Sequence, residues 1–270
     1  MFITRRSALL AVCVWSPLQP ALTWAQTAQH PTETTSELRT LTAKASRLSV
    51  LSDRLTRSQA QRSLGVLRTR AERVLMDSTA ESKRLLTELS HAALSSSTRP
   101  QHQLAAQGYL NLLTVNEHFD PQDRQALAKL AIQADEVGEE LDKLVALLIR
   151  DLGQPVAGVL ATTADLQRLT QDLAVHFLLG RAGIDEKDQQ KRLDTGREHF
   201  GKLLGDLRKS SIQTPNIGQQ LQLLDNQWTL MRQALNLSSR DTSAMENTCT
   251  TSERTLEVLT RLYPQYEAAL

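Results

Sequence analysis

Cysteine is nearly missing from this 270-residue chain, which has only Cys13 and Cys249. A chain trimmed after the N-terminal apolar run keeps Cys249 alone, so an internal disulfide is excluded and packing must stabilise the fold. Aromatic residues make up 4%, and 11 Gly with 8 Pro leave few breakers. Long helices packed by Leu and Ala are the natural outcome. Charge of one sign is lacking too: the formal net charge is +1, which gives no basic excess for nucleic acid. After residue 25 no apolar run approaches the roughly 20 residues a membrane span needs. There is no Gly-x-Ser-x-Gly elbow, phosphate loop, His-Glu-x-x-His or cysteine pair, so the expectation is a non-enzyme without cofactor or metal.

What is present begins with an export-like segment over residues 1–25. Arg5 and Arg6 precede an apolar run from Ala8 to Trp15, and Thr23-Trp24-Ala25 offers a small-residue cleavage site. Thr4-Arg5-Arg6-Ser7-Ala8-Leu9 also resembles a twin-arginine signal. An uncleaved anchor is the alternative. Cleavage removes two arginines and leaves 29 basic against 30 acidic residues.

The rest reads as a duplication. An offset of 118 pairs Leu48 with Leu166, Leu51 with Leu169, Ser52 with Thr170, Leu55 with Leu173, Gly65 with Gly183 and Leu89 with Leu207. Further on the offset becomes 115, pairing Pro100 with Pro215, Leu141 with Leu256, Leu144 with Leu259 and Leu147 with Leu262. A repeat of this length is a domain rather than a solenoid unit. The expected fold is all-α, with two tandem antiparallel four-helix bundles over 35–152 and 158–270.

Helical seams support that expectation. Leu127, Leu130, Ala134, Val137, Leu141, Leu144 and Leu148 alternate steps of three and four. Asp120 is the expected N-cap with Pro121 at the first helical position, and Gly153 and Pro155 stop the helix. Cys249 shares a seam with Met245, Leu256 and Leu259, which predicts a buried, unreactive thiol. Ile217, Leu221, Leu224, Trp228, Met231 and Leu235 form another seam, with Trp228 as a core anchor. Ser52 and Thr170 interrupt the first-helix seams, where a hydroxyl can bond back to the preceding turn.

Among polar residues, Arg47, Arg54 and Arg57 stand out, because spacings of seven and three line them along one helix flank. Guanidinium groups there could fork onto a small anion, in a groove or at a two-fold interface, with Ser52 beside them. A solvated basic face is the alternative reading. The matching positions in the second copy hold Asp165, Asp172 and Val175. His118 near Asp120 is the nearest approach to a ligand pair, and His176 suits a satisfied, partly buried imidazole.

The segment Ala45-Ser46-Arg47-Leu48-Ser49-Val50-Leu51-Ser52-Asp53-Arg54-Leu55 resembles the motif that opens the N-terminal sensor domain of type IV pilus methyl-accepting chemotaxis transducers, the PilJ type. Phe177-Leu178-Leu179, Gly183-Ile184-Asp185, Thr214-Pro215, Gln227-Trp228 and Ser252-Glu253 follow in that family's order. The resemblance implies a periplasmic four-helix sensor module related to NarX-type nitrate sensors, whose first-helix arginine holds the anion at a dimer interface. That arginine falls at Ser49 and Gln167 here, so both copies depart from the pattern. The resemblance further implies a non-catalytic sensor-like protein that binds a small anion, allows a homodimer, and signals through an envelope partner: a membrane sensor, a transporter or a pilus component. A structural adaptor of the envelope without a ligand is the other expectation.

The export reading has a direct check. N-terminal sequencing of the periplasmic protein should begin near Gln26; an intact Met1 in a membrane fraction would establish the anchor instead.

Overall fold

The computed structural model describes residues 31–153, 157–236 and 242–269. The export segment at 1–25 lies outside them. Among the described residues there are eight helices and no strand: α1 (Pro31–Leu64), α2 (Arg68–Ser90), α3 (Arg99–Glu117), α4 (Arg124–Leu152), α5 (Ala157–Arg181), α6 (Glu186–Lys209), α7 (Pro215–Asn236) and α8 (Thr242–Ala268). The chain is all-α, as its seams predict. None of the helices is long and apolar enough to cross a membrane.

The duplication is visible in the turns. Gly65 and Gly183 end α1 and α5 with φ near +70°, a left-handed conformation that a side chain would strain. In each copy the next amide reaches back five residues, Val66 to the Gln61 carbonyl and Ile184 to the Leu179 carbonyl, both at 2.9 Å. Leu67 and Asp185, again 118 apart, then take positive φ before the second helix begins. The change of offset falls in the connection after that helix: residues 91–98 join α2 to α3, whereas 210–214 join α6 to α7.

Helix α4 starts later than its sequence suggests. Asp123, not Asp120, is the N-cap, accepting from the Gln125 and Ala126 amides at 2.8 and 3.1 Å. Asp120 instead accepts from the Gln122 amide, and its carbonyl accepts from the Asp123 amide. Pro121 therefore sits inside a turn, where its fixed φ is equally well accommodated.

Within the first copy α1 packs on α2 and α4, and α4 on α3; within the second, α5 packs on α6 and α8, and α8 on α7. The remaining sides are closed by Ser82 bonding the Tyr109 hydroxyl at 2.8 Å, and by Phe200 stacking on Trp228 with centroids 3.9 Å apart. The copies meet along α1 and α5. Thr42 lies level with Leu160, and Arg57 bonds Gln171 further along both helices, so α1 and α5 run parallel. One apolar core continues through both halves.

This contact changes the character of α1. From Leu48 to Gln61 every residue except Arg54 is buried, although an ordinary surface helix hides only one stripe. Polar residues share that burial: Ser52 and Thr170 bond back to the Ser49 and Leu166 carbonyls at 2.7 Å, and Gln59 donates to Asn116 at 2.8 Å. Such satisfied groups carry little of the desolvation cost that an orphaned one would.

Trp228 is 6% exposed. Replacing it with alanine should cost about 3–5 kcal/mol in chemical denaturation, and the native protein should emit well to the blue of hydrated tryptophan. A native spectrum like that of the unfolded chain would contradict the packing.

Candidate functional site

Two polar junctions lie on the α1–α5 seam, related by the same offsets as the helices. The first contains two of the three singled-out arginines. Arg54 on α1 donates to Glu253 on α8 at 3.1 and 2.6 Å, a two-pronged pairing. Arg57 donates from Nη1 to Glu253, Gln171 and Ser252 at 2.7, 2.7 and 3.0 Å. With 1% of its side chain exposed, Arg57 is no part of a solvated face. The guanidinium groups do fork onto a carboxylate, but the carboxylate belongs to the chain.

Arg47 does not join them. It pairs with Glu81 on α2 at 2.8 and 2.9 Å, on the side of α1 that meets α2. Seven residues of helix rotate the side chain only slightly on paper, yet the partner available at each level differs. The hydroxyl of Ser52 is committed to the Ser49 carbonyl and meets none of the three arginines. The trio therefore forms no common anion site; Arg54 and Arg57 instead bind the two copies together.

Burial works against the charged form of Glu253, but the Arg57 charge and the bonds from Arg54 outweigh it and hold the carboxyl down at about 2. Cys249, one turn before it, is pushed up to about 12 by burial and remains a free, unreactive thiol.

The second junction is differently furnished. Position 138 matches position 253 and holds glycine, while position 172 matches Arg54 and holds aspartate. With no side chain at Gly138, the Arg168 guanidinium comes to 3.9 Å from where a Cβ would stand. A cleft of about 500 Å³ opens here between α4, α5 and α6, lined by Asp135, Asp142, Arg168, Asp172, His176 and Arg192 among others. Asp172 contacts His176 Nε2 at 3.0 Å, and His176 Nδ1 lies 2.7 Å from Gln189 Oε1. Each ring nitrogen faces an oxygen, an arrangement that favours the doubly protonated ring. Desolvation opposes that charge, but Asp172 and Gln189 prevail and raise His176 to about 9.

Arg192 bridges Asp135 and Asp188 at 2.9 and 2.8 Å. Arg168 reaches Asp142 only at 3.4 Å. Beneath them Asp53 on α1 is 5% exposed, and one of its carboxylate oxygens meets no donor. Burial, then the neighbouring charge of Asp172, raises its carboxyl well above the usual range. Asp172 itself is lowered: burial opposes this, and the charge and hydrogen bond of His176 override it. His118, by contrast, is exposed and contacts the Thr114 carbonyl one turn back.

Sequence reasoning placed His176 correctly as a satisfied imidazole but missed the cleft around it. The available signal was a repeated spacing of seven between aspartates, 135 and 142 on α4 and 165 and 172 on α5. Among the described residues no group of His, Cys, Asp and Glu is disposed to hold a metal ion. Set against family models, curated proteins and solved structures, the chain matches none of them.

Two consequences concern stability and pH. Glu253→Gln leaves a buried guanidinium without its counter-charge and should destabilise by about 3–5 kcal/mol. A lowered carboxyl contributes above its ordinary value of 4.5 and loses that contribution as pH falls toward about 2, so this variant should flatten the acid limb of the stability curve. A raised imidazole has the opposite sign: its contribution is full below 6.5 and disappears as pH rises through about 9. A His176 imidazole titrating near 6.5 by NMR would refute the Asp172–His176–Gln189 arrangement.

Proposed function

We propose that the chain is a non-catalytic, periplasmic, sensor-like ligand-binding protein built from two PilJ-type modules, with its ligand site in the α4–α5–α6 cleft. The observation that carries this reading is the inequality of the two matched junctions. Glu253 closes one, while Gly138 leaves the other open as a charged cleft of about 500 Å³. A cavity on which polar groups with perturbed titrations converge is a natural place for a ligand to bind. Asp172 and His176 are committed to each other and to Gln189, an arrangement that suits holding a ligand. Occupancy would be felt on α5 and, through Asp53, on α1, so the seam between the copies is the route by which a partner protein could read it.

A second reading, an envelope adaptor without a ligand, draws on exposed apolar side chains of the first copy. Met76, Leu104 and Ile132 are 72%, 60% and 59% exposed on α2, α3 and α4, and such groups suit a protein contact.

Gly138→Glu separates the two. It installs in the cleft the carboxylate that its counterpart Glu253 supplies in the other junction. Small polar compounds that raise the melting temperature of the native protein should lose that effect in the variant, whose helical circular dichroism should be unchanged. Ligand shifts that survive the substitution would place the site elsewhere, and a chain that responds to no compound but captures an envelope protein would favour the adaptor.

A further inference from the structure

Between α2 and α3 the first copy is incompletely closed. Beyond the Ser82–Tyr109 bond, toward the C-terminal end of α3, a groove of about 530 Å³ remains with α1 as its floor. Leu75, Met76 and Phe119 give it apolar walls, and Gln59, Arg62 and Asn116 line it as well. At one end Lys83 on α2 pairs with Glu117 on α3 at 2.7 Å, so those two charges cancel.

The polar groups form a relay. Gln59, fully buried, donates from Nε2 to Asn116 Oδ1 at 2.8 Å and to the Asn116 carbonyl at 3.2 Å, which leaves its Oε1 to accept from Arg62 Nη1 at 2.6 Å. The guanidinium is thereby oriented by a partner that is itself held. That bond spends one donor and no charge. Among the described residues Arg62 pairs with no carboxylate, and its Nε, hidden from solvent, meets no acceptor. Arg47 and Arg54, on the same helix, each place the edge formed by Nε and Nη2 on a glutamate. On Arg62 that edge is unspent.

The second copy shows that the fold does not require this relay. Phe177, Gly180 and Met231 stand at the positions matching Gln59, Arg62 and Asn116, and Phe177 and Met231 are buried. An opening beside Phe177, Gly180 and Leu193 exists there too, but glycine takes the place of the arginine. A buried amide pair that orients an unmatched guanidinium at the edge of an apolar space is thus peculiar to the first copy.

We infer that this groove binds a small carboxylic acid with an apolar body, its carboxylate on Arg62 and its hydrocarbon between Met76 and Phe119. The site is separate from the α4–α5–α6 cleft and does not depend on it. Apolar walls with a few placed polar groups are the usual composition of a small-molecule pocket, and the volume falls in the usual range. An inorganic anion would leave the apolar walls wet, and an uncharged hydrocarbon would leave the guanidinium unmatched. An acid of this kind uses both.

Calorimetric titration of the full chain with hexanoate, hexanol and acetate tests the assignment. Hexanoate should bind saturably at one site per chain, and more tightly than either the alcohol or acetate. Arg62→Gln should weaken hexanoate at least about tenfold, the worth of one charge-assisted bond, while hexanol binding changes little. Met76→Asp copies Asp194 of the second copy onto an exposed position; it should weaken hexanoate as well, and it serves should Arg62→Gln fail to fold. Gly138→Glu, which alters only the cleft, should leave hexanoate binding as it was. Hexanoate binding that is absent, that is undiminished in either groove variant, or that is no tighter than the alcohol's overturns the assignment. Binding lost in Gly138→Glu overturns it too, by moving the acid to the cleft.

Discussion

Everything in this molecule is arranged around the parallel contact of α1 with α5. A helix buried on all sides has no solvent face on which to place polar groups, so α1 satisfies most of them internally, Ser49 Oγ, one oxygen of Asp53 and Arg57 Nε excepted. It does so with short hydroxyl bonds along its own backbone, with Gln59 on Asn116, and above all with Arg57 on Glu253. The last of these has the highest stakes: a guanidinium with 1% exposure is tolerable only while its counter-charge and hydrogen bonds are in place. The apolar core is not specific to one pairing of helices. The junction at Arg57 fixes which helix lies beside which, and at what level.

The same contact explains why two related junctions carry opposite chemistry. In a symmetric dimer both sides of such a seam must be alike, because one sequence furnishes both. Here one chain furnishes them separately, and the residues have diverged: Glu253 against Gly138, Arg54 against Asp172, Arg57 against Val175. One side has become a lock that contains its own anion. The other has lost the locking carboxylate and gained an open space in which charges are only partly matched.

Much of the fold was legible in the sequence because helical period and duplication are local or self-comparing signals. The seams of α4 and α7, the burial of Cys249 and Trp228, the paired glycines and the loop that changes the offset all follow from residues a few positions apart or from one copy laid on the other. The start of α4 was misjudged since two aspartates three residues apart could each cap it, and only the turn between them decides. The arginine flank was misread for a deeper reason. Spacing along one helix says which way a side chain points, but the partners of Arg54 and Arg57 come from Glu253 and Gln171, far along the chain. Packing of the second copy against the first supplies them, and no periodicity within α1 encodes it. The cleft was hidden similarly: its aspartates look like an ordinary solvated face until α4, α5 and α6 are brought together.

The position of Glu253 also has a consequence for how the chain acquires its structure. Arg57 lies in the first helix and its counter-charge in the last, 196 positions later. As the polypeptide emerges from N- to C-terminus, α1 to α4 can collapse on one another while the Arg57 side of α1 has neither α5 nor α8 to cover it. An isolated guanidinium resists leaving water, so that face stays hydrated until nearly the entire chain is available. The first half alone therefore lacks the counter-charge that makes this burial tolerable, and the Arg57 side of α1 is complete only when α5 and α8 are both in place.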